Sequence, residues 1–332
     1  MSGAPEARIL CVTPNPALDR TLDVPDLRIG DTARARGARV AAGGKGVNVA
    51  RGLAALGNGN GSGSGSGSRG RPLCMGPLGG ASGRILAGLA EAEGLDAAWT
   101  WCEVETRTCV ILVDSAAGRA TVVNEPGPRL ATEDWTRLCG DVLERAKGAL
   151  EICVSGSVPP GVAAGGLADL GAALVASGHA PWIDSSGPAL AGVLSTRGVR
   201  LKINRDEASE ALGRTLRGVS DCAESARRLL ERGPAAVVMT LGAEGAVLAS
   251  PAGCWHASAP PVETVSPVGS GDALLAGLVA ALTSGRDEPE ALCWGVAAGT
   301  ASAVAGGGAR FSRDQFDALL VRVRVDAREE RG

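Results

Sequence analysis

The run Ala41-Ala42-Gly43-Gly44-Lys45-Gly46-Val47-Asn48-Val49-Ala50 leads from glycines straight into a helical pattern. A helix start presents N–H groups without intrahelical acceptors, and glycines let an oxygen-rich ligand approach them closely. Lys45 adds a cation and Asn48 both a donor and an acceptor, so the segment suits an anion or a polyol. Spacing excludes a P-loop, because Arg39 stands where its first glycine belongs and Gly46 where Ser or Thr must follow the lysine. A dinucleotide turn fits only loosely, through Gly44, Gly46 and Ala50: the preceding Ala33–Val40 carries three arginines, and the expected acidic residue, about 20 positions on, would fall in a Gly/Ser tract. A glycine turn used only for tight packing stays open.

The second candidate is Ser266-Pro267-Val268-Gly269-Ser270-Gly271-Asp272, followed by the apolar stretch Ala273–Leu282. Gly-Ser-Gly at a helix start can cup a transferring phosphoryl group with backbone donors, aided by the helix dipole. Asp272 then stands where a carboxylate can take a proton from an attacking hydroxyl, although an aspartate here also caps helices without any chemistry.

Elements able to position these residues are legible around them. Apolar runs at Ile9–Val12, Ile152–Val154, Trp182–Ile183 and Val237–Leu241 read as buried strands. They alternate with helical stretches at Gly46–Leu56, Arg84–Glu93, Thr132–Leu150, Ser220–Arg232, Asp272–Leu282, Glu288–Ala305 and Arg313–Val323, the last announced by Ser312 and Gln315 at capping-box spacing. The alternation predicts an α/β sandwich around a mainly parallel sheet. Shorter segments at Thr21–Val24, Ala33–Val40, Thr108–Val113 and Arg119–Val123 read as strands of a small separate lid. Asn58–Ser68, NGNGSGSGSGS, has no side chain able to pack and reads as a flexible exposed loop.

Composition narrows the function classes. Across 332 residues, 45% hydrophobic and 21% charged, there is material for one large domain with a small accessory lid. A formal charge of −3 gives no global attraction for nucleic acid or acidic membranes, so anions must be held locally. No apolar run reaches the ~18 residues that span a bilayer. Nine cysteines without a C-x-x-C, and only two histidines, argue against zinc and fit a reduced cytoplasmic setting.

Gly43-Gly44-Lys45-Gly46-Val47-Asn48 and Gly269-Ser270-Gly271-Asp272 together resemble the phosphofructokinase B branch of the ribokinase-like sugar kinases. The match runs from about Ile9 to beyond Phe311. Thr13-Pro14-Asn15-Pro16-Ala17-Leu18-Asp19, Asn124-Glu125-Pro126-Gly127-Pro128 and Ser155-Gly156-Ser157-Val158-Pro159-Pro160-Gly161 point within it to the 1-phosphofructokinase and tagatose-6-phosphate kinase group. The resemblance implies a three-layer α/β/α sandwich with a β-sheet lid (about 19–40 and 107–123), ATP as donor and a ketohexose phosphate as acceptor. Fructose 1-phosphate is the first choice, with tagatose 6-phosphate or fructose 6-phosphate as alternatives and a catalytically silent sugar-phosphate sensor as the non-enzyme one.

By the same resemblance Asp272 is the base and Gly269, Ser270 and Gly271 the anion cradle. Asp19, Gly43, Gly44 and Asn48 line the sugar, while Lys45, Arg107 and, more weakly, Arg34 face its phosphate. Lys202, Asn204, Thr240, Gly242 and Gly245 serve ATP, Glu207 serves Mg²⁺, and subunits pair through the lid as a homodimer. Departures are Ile203 for proline, Ser270 for alanine, Pro267 after Ser266, and the Gly/Ser tract where a short apolar strand follows the first helix.

Overall fold

Alternate residues of the first strand face opposite layers: Ile9 and Cys11 join one hydrophobic cluster, Leu10 and Val12 the other. A strand buried on both faces reads as an uninterrupted apolar run, and this one lies inside a ten-stranded sheet, third from one edge. The computed structural model describes residues 7–57, 70–117 and 119–328. The strands are β1 Arg8–Val12, β2 Ala17–Asp23, β3 Gly37–Gly43, β4 Arg71–Gly79, β5 Asp96–Cys102, β6 Arg107–Asp114, β7 Arg119–Asn124, β8 Ala149–Ser155, β9 Trp182–Asp184, β10 Arg200–Asn204, β11 Ala236–Thr240, β12 Ala246–Ser250, β13 Gly253–Ser258 and β14 Arg324–Ala327. The helices are α1 Lys45–Gly57, α2 Gly80–Ala92, α3 Thr132–Ala146, α4 Gly166–Ala176, α5 Gly187–Val193, α6 Arg205–Leu212, α7 Gly218–Leu230, α8 Ser270–Thr283, α9 Glu288–Val304 and α10 Arg313–Leu320.

The large sheet runs β14-β13-β12-β11-β10-β9-β8-β1-β4-β5, parallel from β11 to β5 and antiparallel at the β12–β14 edge. Helices α1, α2, α8, α9 and α10 pack on one face and α3 to α7 on the other, giving the expected α/β/α layering. From β1 the chain turns first to β4 and β5, then returns to β8 on its other side. Order reverses at β1/β8, and ligands of open α/β sheets bind beyond the carboxyl ends of strands at such a point. A second sheet, β3-β2-β6-β7, carries the segments expected of a lid.

Several boundaries differ from the sequence reading. The helix expected over Thr132–Leu150 stops at Ala146, because Gly148 turns at φ 88° and Ala149 already starts β8. The strand placed at Ala33–Val40 lies at Gly37–Gly43, so the first of the glycines belongs to the strand rather than to a turn. An apolar strand does follow α1: it is β4, downstream of the Gly/Ser tract, hidden from periodicity by Pro72, Gly76, Pro77 and Gly79. The tract itself, 58–69, lies outside the described residues. The capping box at Ser312 and Gln315 forms as its spacing predicts.

Candidate active site

Four parallel strands deliver polar residues from one end of the sheet. Asn15 follows β1, Asp184 ends β9, Asn204 ends β10 and Thr240 ends β11, with Asn204 and Thr240 as register neighbours. The starts of α1 and α8 face this edge with Lys45, Asn48 and Asp272.

Asp184 is the buried hub, with no exposed side-chain surface. Its Oδ1 accepts from Lys45 Nζ at 2.7 Å and its Oδ2 from Lys202 Nζ at 2.7 Å. Burial pushes this carboxyl up, but the two ammonium groups outweigh it and hold it below the ordinary aspartate range. Burial likewise disfavours the Lys45 cation, and Asp184, Asp272 and Glu207 reverse that, raising its pKa. Lys202 Nζ lies so close to Gly271 that a Cβ there would meet it at 2.7 Å. The glycine is what lets the lysine reach the first turn of α8. The geometry thus brings Lys45 to Asp184 and Glu207, not to Arg107.

Asp272 is 5% exposed. Its Oδ2 accepts from Asn48 Nδ2 at 2.8 Å. Burial raises its pKa, opposed by Lys202 and Lys45 and reinforced by Asp184. Of the three expected cradle amides, that of Ser270 donates to Pro267 O at 3.2 Å, within the turn itself. Gly269 stands in the left-handed region at φ 78°, where a Cβ would strike Gly308 Cα at 2.9 Å.

Asp19 lies over Gly43, where a Cβ would fall 2.2 Å from its Cγ; the close approach dictates the glycine. Burial, with Asp272 adding to it, raises the Asp19 pKa to about 6 against the pull of Arg51 and Arg107. Gly44, at φ 114°, backs onto the Thr13 side chain. Arg107 donates to Asn15 O at 2.9 Å and to Glu125 O at 2.8 Å, while Asn15 Nδ2 reaches Pro126 O at 3.1 Å and Ser157 Oγ at 3.2 Å. The three motifs around Asn15, Glu125 and Ser157 therefore converge in space.

Asn204 and Glu207 form a reciprocal capping box on α6, which occupies Glu207 Oε2; Oε1 lies 3.8 Å from Lys45 Nζ. Gly242 and Gly245 both have positive φ, 62° and 90°, around a short turn after Thr240, Gly242 with open space where a side chain would stand. Arg34 lies in the exposed segment before β3 and makes no hydrogen bond or ion pair with the described residues.

Sequence reasoning missed Asp184, Arg51 and Glu93. Asp184 had a signal, an acid closing the buried run Trp182-Ile183. Arg51 had a fainter one, three residues after Asn48 and hence on the same helix face.

Residues 15–314 match the model of the pfkB family of carbohydrate kinases. The chain is 36% identical over 284 residues to a 1-phosphofructokinase of Rhodobacter capsulatus, covering 85% of this chain and 86% of that protein. It is 31% identical over 297 residues to the ATP-dependent 6-phosphofructokinase isozyme 2 of Escherichia coli, covering 89% and 92%. The crystal structure of Escherichia coli phosphofructokinase-2 in complex with potassium superposes with a TM-score of 0.86 at 30% identity, over 95% of this chain and 99% of that one.

Proposed function

This chain belongs to the pfkB family of carbohydrate kinases and is an ATP-dependent ketohexose phosphate kinase, and we propose that its acceptor is fructose 1-phosphate, converted to fructose 1,6-bisphosphate with Asp272 as base. The observation that carries the reading is Asp272 itself. It is a buried carboxylate with one oxygen held by Asn48 and the other left for a hydroxyl, at the start of a helix against which Lys202 packs.

In the proposed reaction Asp272 accepts the proton of the sugar's 6-hydroxyl as that oxygen bonds to the γ-phosphorus. The bond from the γ-phosphorus to the bridging oxygen breaks, and ADP leaves. First-turn amides of α8, its dipole and Lys202 offset the charge on the moving phosphoryl group. Arg107 holds the sugar's own phosphate, a task suited to a guanidinium. Asp19 accepts from sugar hydroxyls; Gly43 and Gly44 leave room for the ring. Asn204, Thr240, Gly242 and Gly245 border the nucleotide. Glu207 Oε1, which the capping box does not use, would be the protein contact of a largely hydrated Mg²⁺ ion. The ion would neutralise phosphate charge.

The small sheet acts as a lid over one kinase domain, excluding water during transfer. Val40, Val122 and Val123 are exposed on it, which supports pairing of two chains through this sheet. Among the described residues no helix is long and apolar enough to cross a membrane; the free state of all nine cysteines supports a cytoplasmic setting.

The acceptor is tested by kcat/KM for fructose 1-phosphate, fructose 6-phosphate and tagatose 6-phosphate under identical Mg-ATP. Fructose 1-phosphate is expected to lead; preference for either 6-phosphate moves the assignment to that substrate. Sugar-phosphate binding without ADP release would favour a sensor.

Asp19 makes a pH test possible. With a pKa of about 6 it is ionised at neutral pH and protonates below that value, when it resembles asparagine. The substrate phosphate titrates in the same range, so the readout is the ratio of wild-type to Asp19→Asn kcat/KM. That ratio is expected to fall towards one as pH drops through about 6. A ratio independent of pH would remove Asp19 from sugar recognition.

A further inference from the structure

We infer that Arg51, clamped by Glu93, is a positioning residue for phosphoryl transfer, acting through Asn48 to hold the Asp272 carboxylate in its productive orientation. The inference rests on the reading of Asp272 as base.

Arg51 is 8% exposed, in the middle of α1. A guanidinium has five N–H donors, and here each finds an acceptor. Nε reaches Glu93 Oε2 at 2.6 Å, and Nη2 reaches Glu93 Oε1 at 3.3 Å and Ala42 O at 2.8 Å. Nη1 reaches Gly308 O at 2.9 Å and Asn48 Oδ1 at 2.6 Å. Glu93 is itself fixed by Arg310, at 2.7 Å. The two arginines outweigh burial and keep its carboxyl below the ordinary glutamate range, so the clamp is ionic.

Four of these contacts immobilise the guanidinium, and the fifth acts on Asn48. Arginine can only donate, so the atom of Asn48 facing it must be the amide oxygen. The Asn48 nitrogen is thereby turned towards Asp272 Oδ2. Without that bond the carboxylate is free to rotate towards the neighbouring lysines. Arg51 has no donor left over for substrate, which sets its contribution apart from that of Asp272.

Lysine keeps the charge but offers three donors on one atom and cannot span these acceptors. Arg51→Lys is expected to lower kcat about 10- to 100-fold while leaving KM for fructose 1-phosphate within about twofold. A cycle with Asn48→Ala is the discriminating readout. If Arg51 works through Asn48, the double variant falls within about threefold of the slower single variant. Multiplied losses, or a change confined to KM or to melting temperature, overturn the inference. If Arg51→Lys does not fold, Glu93→Gln, which loosens the clamp, enters the same cycle with the same expectations. Asp272→Asn is measured alongside: if it stays inactive while the losses multiply, the inference fails alone, and if it retains turnover, the reading of the base fails and the inference with it.

Discussion

Asp272→Asn is expected to lower kcat by roughly 10²-fold or more while changing sugar-phosphate affinity little. Asparagine preserves the size of the side chain and can still meet Asn48, so the site stays packed. It cannot accept a proton from the attacking hydroxyl. The effect belongs in kcat because the proton moves only as the phosphoryl group does, whereas the sugar is held by groups that the substitution leaves in place. Single-turnover rates with Mg-ATP, and binding of the sugar phosphate by calorimetry, separate the two quantities. Near-normal turnover would exclude Asp272 from the reaction.

Asp184→Ala is expected to be the most destabilising single change at the site. It strands Lys202, whose side chain is 5% exposed, and removes the main partner of Lys45, which is 34% exposed. Leaving one member of a buried pair uncompensated costs about 3 kcal/mol or more, seen as a lower denaturation midpoint at unchanged m. Adding Lys202→Met should recover most of this loss without restoring activity, because it removes the stranded charge but not the need for a cation beside Gly271. A stability change within ~0.5 kcal/mol, the range of an ordinary surface substitution, would mean that the two lysines find other partners.

The pH dependence has opposite signs at the two buried aspartates. Asp184 has a depressed folded pKa, so its contribution is present above its unfolded value of about 3.9 and is lost as pH falls through the lower folded one. Asp272 has a raised folded pKa, so it costs stability while ionised, and that cost is relieved as pH falls through the raised value.

The sequence by itself determined those features that short-range chemistry dictates. Glycines running into helix starts at Gly44 and Gly271, the capping box at Ser312, the apolar run of β1 and the order of the motifs were enough for fold class and to single out Asp272 as the candidate base. Elements went astray where glycine or proline broke the apolar pattern: Gly148 ended a helix early, and Pro72, Gly76, Pro77 and Gly79 hid β4. Only the tertiary structure decided which polar groups meet. Lys45 was expected beside Arg107 on a phosphate but lies on Asp184, a residue 139 positions away. Asn48, expected to line the sugar, also joins Arg51 to Asp272, 224 positions apart from the latter. The physical reason is that a parallel sheet collects the carboxyl ends of strands distant in sequence at one edge, where a buried charge must find its partner. Local spacing carries no information about which of several charges that partner will be.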